Sequence, residues 1–476
     1  MEQLKELDIS VIEQFPKIDE SKLDELLQKE IIKSGRKIIV LDDDPTGVQT
    51  VHGVSVYTDW SQESIAAGFA EERNLFYILT NSRGFTVEQT TQCHQDIISR
   101  VQTISKKTGQ EYLIISRGDS TLRGHYPLET ELLRQGMETD SGKKVDGEIL
   151  CPFFKEGGRY TIGNVHYVKN GGRLVPAGQT EFAADKTFGY QASDLRKYVE
   201  EKTKGRYRAE QVLCISLEEL RARDIDGILK KLIQIKDFGK IVVNAVDYCD
   251  LKVFAIALYQ AMAKGKQYLF RTAAALVKVM GGISDKPLLT RKEMLTCENT
   301  NGGIIVVGSH TMKTTSQLEE LKKVSGLEFL EFNSDLVLDE EAFTKEIHET
   351  IQREEEMIRT GKTVVVYTKR KLLVIENDTK EEALLRSVKI SDAVQSLVGK
   401  LSVIPSFVIA KGGITSSDVG TKALQVKRAD VMGQIRPGIP VWKTGEESRF
   451  PGIPYVIFPG NVGEVTTLRE AVEICM

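Results

Sequence analysis

Short apolar, β-branched runs alternate with longer amphipathic stretches along the whole chain. The runs are KIIVL (37–41), LFYIL (75–79), YLIIS (112–116), EILCPF (148–153), VLCIS (212–216) and KIVVN (240–244). After a gap come GIIVVG (303–308), EFLEF (328–332), TVVVY (363–367), SFVIA (406–410) and PYVIF (454–458). Each reads as a strand, and the stretches between them read as helices with recognisable ends. Thr86 with Gln89 has capping-box spacing, Cys93, Ile97, Val101 and Ile104 trace one apolar face, and Gly109 stops the helix. Ser216 with Glu219 repeats the device before EELRARDIDGILKKLIQI, read as one helix. Such alternation predicts an α/β fold of two domains, each a mostly parallel sheet flanked by helices, with an active-site cleft between them.

The pattern weakens over 281–302, a Gly-, Pro-, Asn- and Thr-containing stretch without clear period, which is read as the linker. It separates an N-terminal domain, 1–280, from a C-terminal domain, 303–476. The first 35 residues form an extension. The Gly-rich segment 155–182 reads as an insertion, a hairpin over the edge of the first sheet.

With 476 residues, 41% apolar and 28% charged, the composition is that of an ordinary globular protein. Lys plus Arg (64) against Asp plus Glu (68) leaves −4, too little for a general attraction to nucleic acid or acidic membranes. No stretch reaches the ~20 apolar residues of a membrane helix, and the opening residues lack the apolar core of a secretory signal, so a cytoplasmic location is expected. The six cysteines, Cys93, Cys151, Cys214, Cys249, Cys297 and Cys475, never form C-x-x-C, and no two histidines stand four apart. These spacings exclude local zinc-ribbon, thioredoxin and H-E-x-x-H motifs. His52, His94, His166 and His348 read as surface or satisfied side chains. Arg353 to Glu356 reads as a solvated helix face.

Ligands of open α/β sheets bind beyond the carboxyl ends of the strands. KIIVL runs into Asp42, Asp43, Asp44, Pro45, Thr46 and Gly47, acids that repel one another unless a ligand, cation or arginine offsets them. LFYIL leads to Thr80, Asn81, Ser82 and Arg83, whose guanidinium could grip a carboxylate or pair with those aspartates. YLIIS delivers Arg117, Gly118, Asp119, Ser120, Thr121, Leu122, Arg123, Gly124 and His125. Arginines for a carboxylate and Asp119 for a hydroxyl suit a small hydroxy acid.

Three later strands end instead in small polar or glycine loops before a helix. These are Ser309-His310-Thr311, Lys411-Gly412-Gly413-Ile414-Thr415 and Pro459-Gly460-Asn461-Val462-Gly463. Exposed N–H groups and the positive helix end make such loops phosphate cradles. Familiar cradles are absent: Met312 stands before Lys313 and Thr314 where a P-loop has glycine, and G-x-G and G-x-S-x-G do not occur.

In these residues the chain resembles the four-carbon acid sugar kinase family. The D-D-x-T-G element matches Asp43 to Gly47, T-x-S-R matches Thr80 to Arg83, and D-S-T-L-R-G matches Asp119 to Gly124. G-G-x-T-S matches Gly412 to Ser416, and an S-G-N-x-G-like element matches Pro459 to Gly463, with Pro459 in place of serine. The resemblance implies an N-terminal sugar-acid-binding domain and a C-terminal nucleotide-binding domain. It implies acid contacts from Asp43, Asp44, Arg83, Arg117, Gly118, Asp119, Ser120 and Arg123. Nucleotide contacts would come from Ser309, Gly412, Gly413, Ile414, Thr415 and Gly460. ATP with Mg²⁺ is the implied cofactor, with no metal ligands assigned, and Asp119 then Asp44 are the expected proton acceptors. Partners are a small sugar acid and ATP/ADP, self-association being left open. A non-catalytic sensor of acid and nucleotide, or an ATP-independent isomerase or aldolase, remain the alternatives.

Overall fold

The structure is a computed structural model that describes residues 4–295, 299–371, 373–375, 378–460 and 462–476. Cys297 and Asn461 lie outside the described residues. The chain divides into two compact units, 1–47 with 59–285, and 48–58 with 286–476.

In the first unit seven parallel strands run in the order Leu213–Ile215, Gly239–Val243, Gly147–Cys151, Tyr268–Thr272, Tyr112–Arg117, Lys37–Asp42 and Leu75–Leu79. Their apolar runs are buried on both faces because helices cover the sheet. Val87–Thr108 starts with the Thr86/Gln89 capping box, buries Cys93, Ile97, Val101 and Ile104, and ends at left-handed Gly109. Tyr248–Ala263 is buried around nearly its whole circumference, as its apolar composition demands. The helix expected after Ser216 is instead two, Leu217–Arg221 and Ile225–Gln234. Arg223 takes a left-handed φ of 56° between them, and Asp224 caps the second through the Gly227 amide.

The 155–182 segment also differs from the expected edge hairpin. Arg159–Ile162, Val165–Asn170 and Arg173–Pro176 form a separate antiparallel sheet, completed by Leu7–Asp8 of the N-terminal extension.

In the second unit five parallel strands run Pro454–Phe458, Val408–Lys411, Ile304–Val307, Thr363–Thr368 and Leu327–Phe332. Beyond Pro454–Phe458 the sheet continues antiparallel through Ile439–Thr444 and Arg428–Arg436 to Ser55–Tyr57. Leu289 and Met294, from the stretch read as linker, are buried in this unit's core. No helix among the described residues is long and apolar enough to cross a membrane.

The 353–356 run corrects one expectation. Arg353 and Glu356 are exposed, but Glu354 is 0% exposed, and neither of its carboxyl oxygens has a hydrogen-bond partner among the described residues. Helical periodicity places it between Ile351 and Ile358 on the buried face of Glu340–Arg359. Burial, aided by the Glu355 charge, raises its pKa well above the ordinary 4.5. A raised folded-state pKa means the stabilising contribution is complete below the unfolded value and is lost as pH rises through the folded one. Glu354→Gln should therefore flatten the decline of unfolding free energy over the range that runs upward from the ordinary carboxylate pKa. Glu354→Leu should stabilise the protein by about 1–3 kcal/mol at the upper end. Denaturant titrations across that range check both; an unchanged slope in the Gln variant would contradict the assignment.

Candidate active site

In the first unit the chain passes from Lys37–Asp42 to its neighbour Leu75–Leu79, then to Tyr112–Arg117 on the opposite side of Lys37–Asp42. The order thus reverses beside the register pair Asp42 and Arg117, and loops leaving such a switch point diverge to open a crevice. The three loops singled out in the sequence leave the sheet here.

Their charges form two layers. The enclosed layer holds Asp42, Asp43, Arg117, Glu129 and Arg271, all buried. Arg117 Nη1 lies 3.1 Å from Asp42 Oδ1 and 3.6 Å from Asp43 Oδ1. Arg271 Nη1 donates to Glu129 Oε2 at 2.6 Å, Ser82 Oγ donates to Glu129 Oε1 at 2.7 Å, and Arg271 Nη2 donates to the Arg123 carbonyl at 3.0 Å. Burial, with the Asp43 and Asp44 charges, pushes Asp42 up to about 7 against the pull of Arg117. The outer layer holds Asp44, Arg83, Asp119 and Arg123. Arg83 bridges to Asp43 Oδ1 at 2.6 Å and Asp44 Oδ2 at 3.1 Å. The Thr46 amide and hydroxyl donate to Asp44 Oδ1 at 2.8 and 2.5 Å. Burial alone would raise the Asp44 pKa, but Arg83 and the Thr46 hydrogen bonds outweigh it, and the net shift is downward. Asp119 behaves likewise: burial opposes ionisation, yet Arg83, Arg123 at 2.7 Å and the Thr121 hydroxyl hold its carboxyl far below the carboxylate range.

The sequence assigned Arg117, Gly118 and Ser120 to substrate, and the structure gives each of them an internal neighbour. Arg117 is paired with Asp42, and the Ser120 carbonyl meets His166 Nε2 at 2.8 Å. A Cβ on Gly118 would fall 2.2 Å from Arg271 Cζ, and Gly124, at φ +119°, would place one 2.6 Å from Arg271 Nη2. These glycines let the loop close over a buried guanidinium. Arg271 and Glu129 were missed by the sequence reading. The signal for Arg271 was YLFRT (268–272), a strand with an arginine next to its carboxyl end.

The second unit repeats the switch-point arrangement. Val307 and Lys411 are register partners between Ile304–Val307 and Val408–Lys411, where the order reverses again. Three loops converge there: a Cβ on Gly460 would sit 3.8 Å from Ser309 Oγ and 3.9 Å from both Gly412 Cα and Gly413 N. Gly412 has φ +127°, and a Cβ on it would lie 3.1 Å from the Ser309 Cβ and 3.2 Å from Thr415 Oγ1. Ile414 projects outward, 74% exposed. Ser309, Gly412, Gly413, Thr415 and Gly460 are thus brought together.

Two cations the sequence did not assign border this cradle, and neither pairs with a carboxylate among the described residues. Lys411 is fully buried and donates to the Pro459 and Gly460 carbonyls at 2.6 and 3.2 Å. Burial, with the Lys313 charge, pushes it down to about 7. Arg370, two residues past Thr363–Thr368, donates to the Ser309 carbonyl and to Thr315 Oγ1 at 3.1 Å, while its buried Nη1 has no hydrogen-bond partner among the described residues. Burial lowers its pKa as well. A strand-end rule applied to TVVVYTKR would have found it. Unbalanced cations beside a glycine cradle are what phosphate groups require. Among the described residues no group of three or more His, Cys, Asp or Glu could hold a metal ion.

Residues 38–280 match the model of a sugar-binding N-terminal domain, and residues 304–468 that of a nucleotide-binding C-terminal domain. The chain belongs to the family that joins these two domains. That pairing is the architecture of the four-carbon acid sugar kinases. No curated protein matches the chain. Among solved structures, a Haemophilus influenzae protein of a family of unknown function superposes with a TM-score of 0.59 at 18% identity, covering 92% of this chain and 100% of its own. A Salmonella typhimurium protein whose name suggests a tRNA synthase superposes with a TM-score of 0.61 at 14% identity, covering 92% and 98%. At these identities the likeness is one of fold.

Proposed function

We propose that the protein is an ATP-dependent kinase that phosphorylates the terminal hydroxyl of a four-carbon sugar acid. The acid would be of threonate, erythronate or oxo-tetronate type, or a branched acid derived from apiose. The observation that carries this reading is the outer layer of the first unit, where Arg83 and Arg123 stand beside the ionised carboxylates of Asp44 and Asp119 at a switch point.

Arg83 and Arg123 would receive the substrate carboxylate, each now compensated by an aspartate that hydroxyl groups can also engage. Asp119, and Asp44 after it, would accept a hydrogen bond from the attacking hydroxyl and orient it. A carboxylate this acidic is a weak base, which suits a loose transfer in which the hydroxyl proton leaves late. Arg117, Asp42, Glu129 and Arg271 would hold that layer in place from beneath. In the second unit Ser309, the 412–415 loop and Gly460 would hold the phosphates, with Lys411 and Arg370 supplying positive charge. ATP would supply the phosphoryl group, and Mg²⁺, carried largely on the phosphates, would offset its charge. Transfer requires acid and nucleotide to be brought together with water excluded.

A coupled assay for ADP release across a panel of four-carbon acids tests the reading, and turnover of at least one is expected. Tight binding of an acid and of Mg-ATP without turnover would replace it with a sensor. No thermal shift with Mg-ATP would remove the nucleotide altogether. A narrower test is Gly460→Ala. Its chain neighbours apart, its methyl meets no atom of the described residues closer than 3.8 Å, so the variant should fold normally, yet it occupies the cradle. ATP affinity should fall by about tenfold or more while sugar-acid affinity and melting temperature stay put. Unchanged ATP binding by calorimetry would place the phosphates elsewhere.

A further inference from the structure

The loop from Asp119 to Gly124 carries two of the four outer-layer residues, yet its backbone is not held by the sheet alone. Three consecutive carbonyls in it each receive a buried side-chain donor from one stretch of the first unit. His166 Nε2 lies 2.8 Å from the Ser120 carbonyl, Tyr190 Oη donates to that of Thr121 at 2.8 Å, and Tyr198 Oη donates to that of Leu122 at 2.8 Å. A carbonyl only accepts, so His166 carries its proton on Nε2, and Nδ1 accepts from the Thr161 hydroxyl at 3.0 Å. The Ser120 carbonyl thus fixes the tautomer, and the Thr161 hydroxyl, on the neighbouring strand of the inserted sheet, satisfies Nδ1.

The grip includes side chains. Leu122 adopts φ +68°, a costly conformation for a residue with a Cβ, and its side chain is buried with Tyr126, Tyr190 and Tyr198. Tyr126 stacks on Tyr198 at 5.6 Å, and Tyr190 meets Tyr198 edge-on at 5.6 Å. The inserted sheet is itself braced by the N-terminal extension. Leu7 and Asp8 pair with Leu174 and Arg173, and Gln179 Nε2 donates to the Leu4 carbonyl at 2.8 Å.

We propose that His166, Tyr190 and Tyr198 are positioning residues that hold three successive carbonyls, Ser120 to Leu122, so that Asp119 and Arg123 meet the sugar acid in one fixed arrangement. The insertion and the extension behind it then serve the substrate loop. The proposal rests on the kinase reading for its substrate and on geometry alone for the ordering of the loop.

Tyr190→Phe and Tyr198→Phe remove one hydroxyl each and keep the buried ring. Two readouts separate the claims. Amide hydrogen exchange of the peptide spanning 118–124 should quicken about tenfold in each variant, with the rest of the first unit unchanged. In the enzyme assay, kcat/KM for the acid should fall about tenfold, while KM for ATP stays within about twofold. Loop exchange equal to wild type in both variants would overturn the proposal. So would a uniform rise in exchange with parallel loss of both substrates, the mark of general destabilisation. Should either variant fail to fold, His166→Phe, which removes the donor to the Ser120 carbonyl and keeps a buried ring, is expected to give the same pattern, and unchanged loop exchange there would be equally fatal. If wild-type protein turns over no four-carbon acid, the kinase reading fails, and the exchange experiment still decides the positioning.

Discussion

Asp119→Asn should lower kcat for the sugar acid by about 10²–10⁴-fold while leaving ATP affinity unchanged. The substitution keeps the shape of the side chain and removes the negative charge that Arg83, Arg123 and the Thr121 hydroxyl stabilise. An amide still offers one oxygen to Arg123, so the loop should stay folded and melting temperature should move little. What is lost is the ionised oxygen that, in the proposed reaction, would face the attacking hydroxyl. Arg123 then loses its nearest counter-charge, keeping Asp185 at 3.8 Å, while Arg83 stays paired with Asp43 and Asp44, so the acid's KM should hold or fall as kcat collapses. Initial rates with nucleotide titration calorimetry distinguish the outcomes. A kcat within about tenfold of wild type would reduce Asp119 to a structural partner of Arg123. A parallel loss of ATP binding would show that the residue serves the nucleotide.

The largest expected effect on stability comes from Arg271→Met. Arg271 and Glu129 are both buried and joined at 2.6 Å, far apart in sequence. Removing the arginine strands a carboxylate whose remaining polar contacts among the described residues are the Ser82 hydroxyl and His94 Nε2 at 3.8 Å. Breaking such a pair from one side costs about 3–5 kcal/mol, because the remaining charge has neither water nor a counter-ion. For a unit of this size that corresponds to a fall in melting temperature on the order of 10 °C. The double variant Arg271→Met/Glu129→Gln should recover part of it, since an amide is cheaper to bury than a lone carboxylate. Denaturant unfolding of the single and double variants decides, and a single variant within about 1 kcal/mol of wild type would show that the pair contributes little.

The parallel strands were readable because they are buried on both faces and therefore appear as uninterrupted apolar runs. The strands that escaped notice, one of them parallel, did so for other reasons. Tyr268–Thr272 has an arginine in it, and Arg428–Arg436 alternates buried and half-buried residues as an antiparallel strand does. The outer-layer residues Asp44, Arg83, Asp119 and Arg123 could be found because they follow readable strands directly. Arg271 and Glu129 could not be placed with them, since only the folded sheet brings residue 271 beside residue 129. Glu354 shows the opposite error: within a run of charges its periodicity was overlooked, although Ile351 and Ile358 already marked the face.

The peptide between Gly47 and Asp59 belongs to the second unit, where Ser55, Val56 and Tyr57 pair with Asp430, Ala429 and Arg428. Truncating the gene near codon 285 would therefore not yield two self-sufficient products. The carboxy-terminal fragment would leave a raw β-edge along 428–430, a site for non-native annealing, and the amino-terminal fragment would carry an orphaned β-segment immediately after its aspartate triplet.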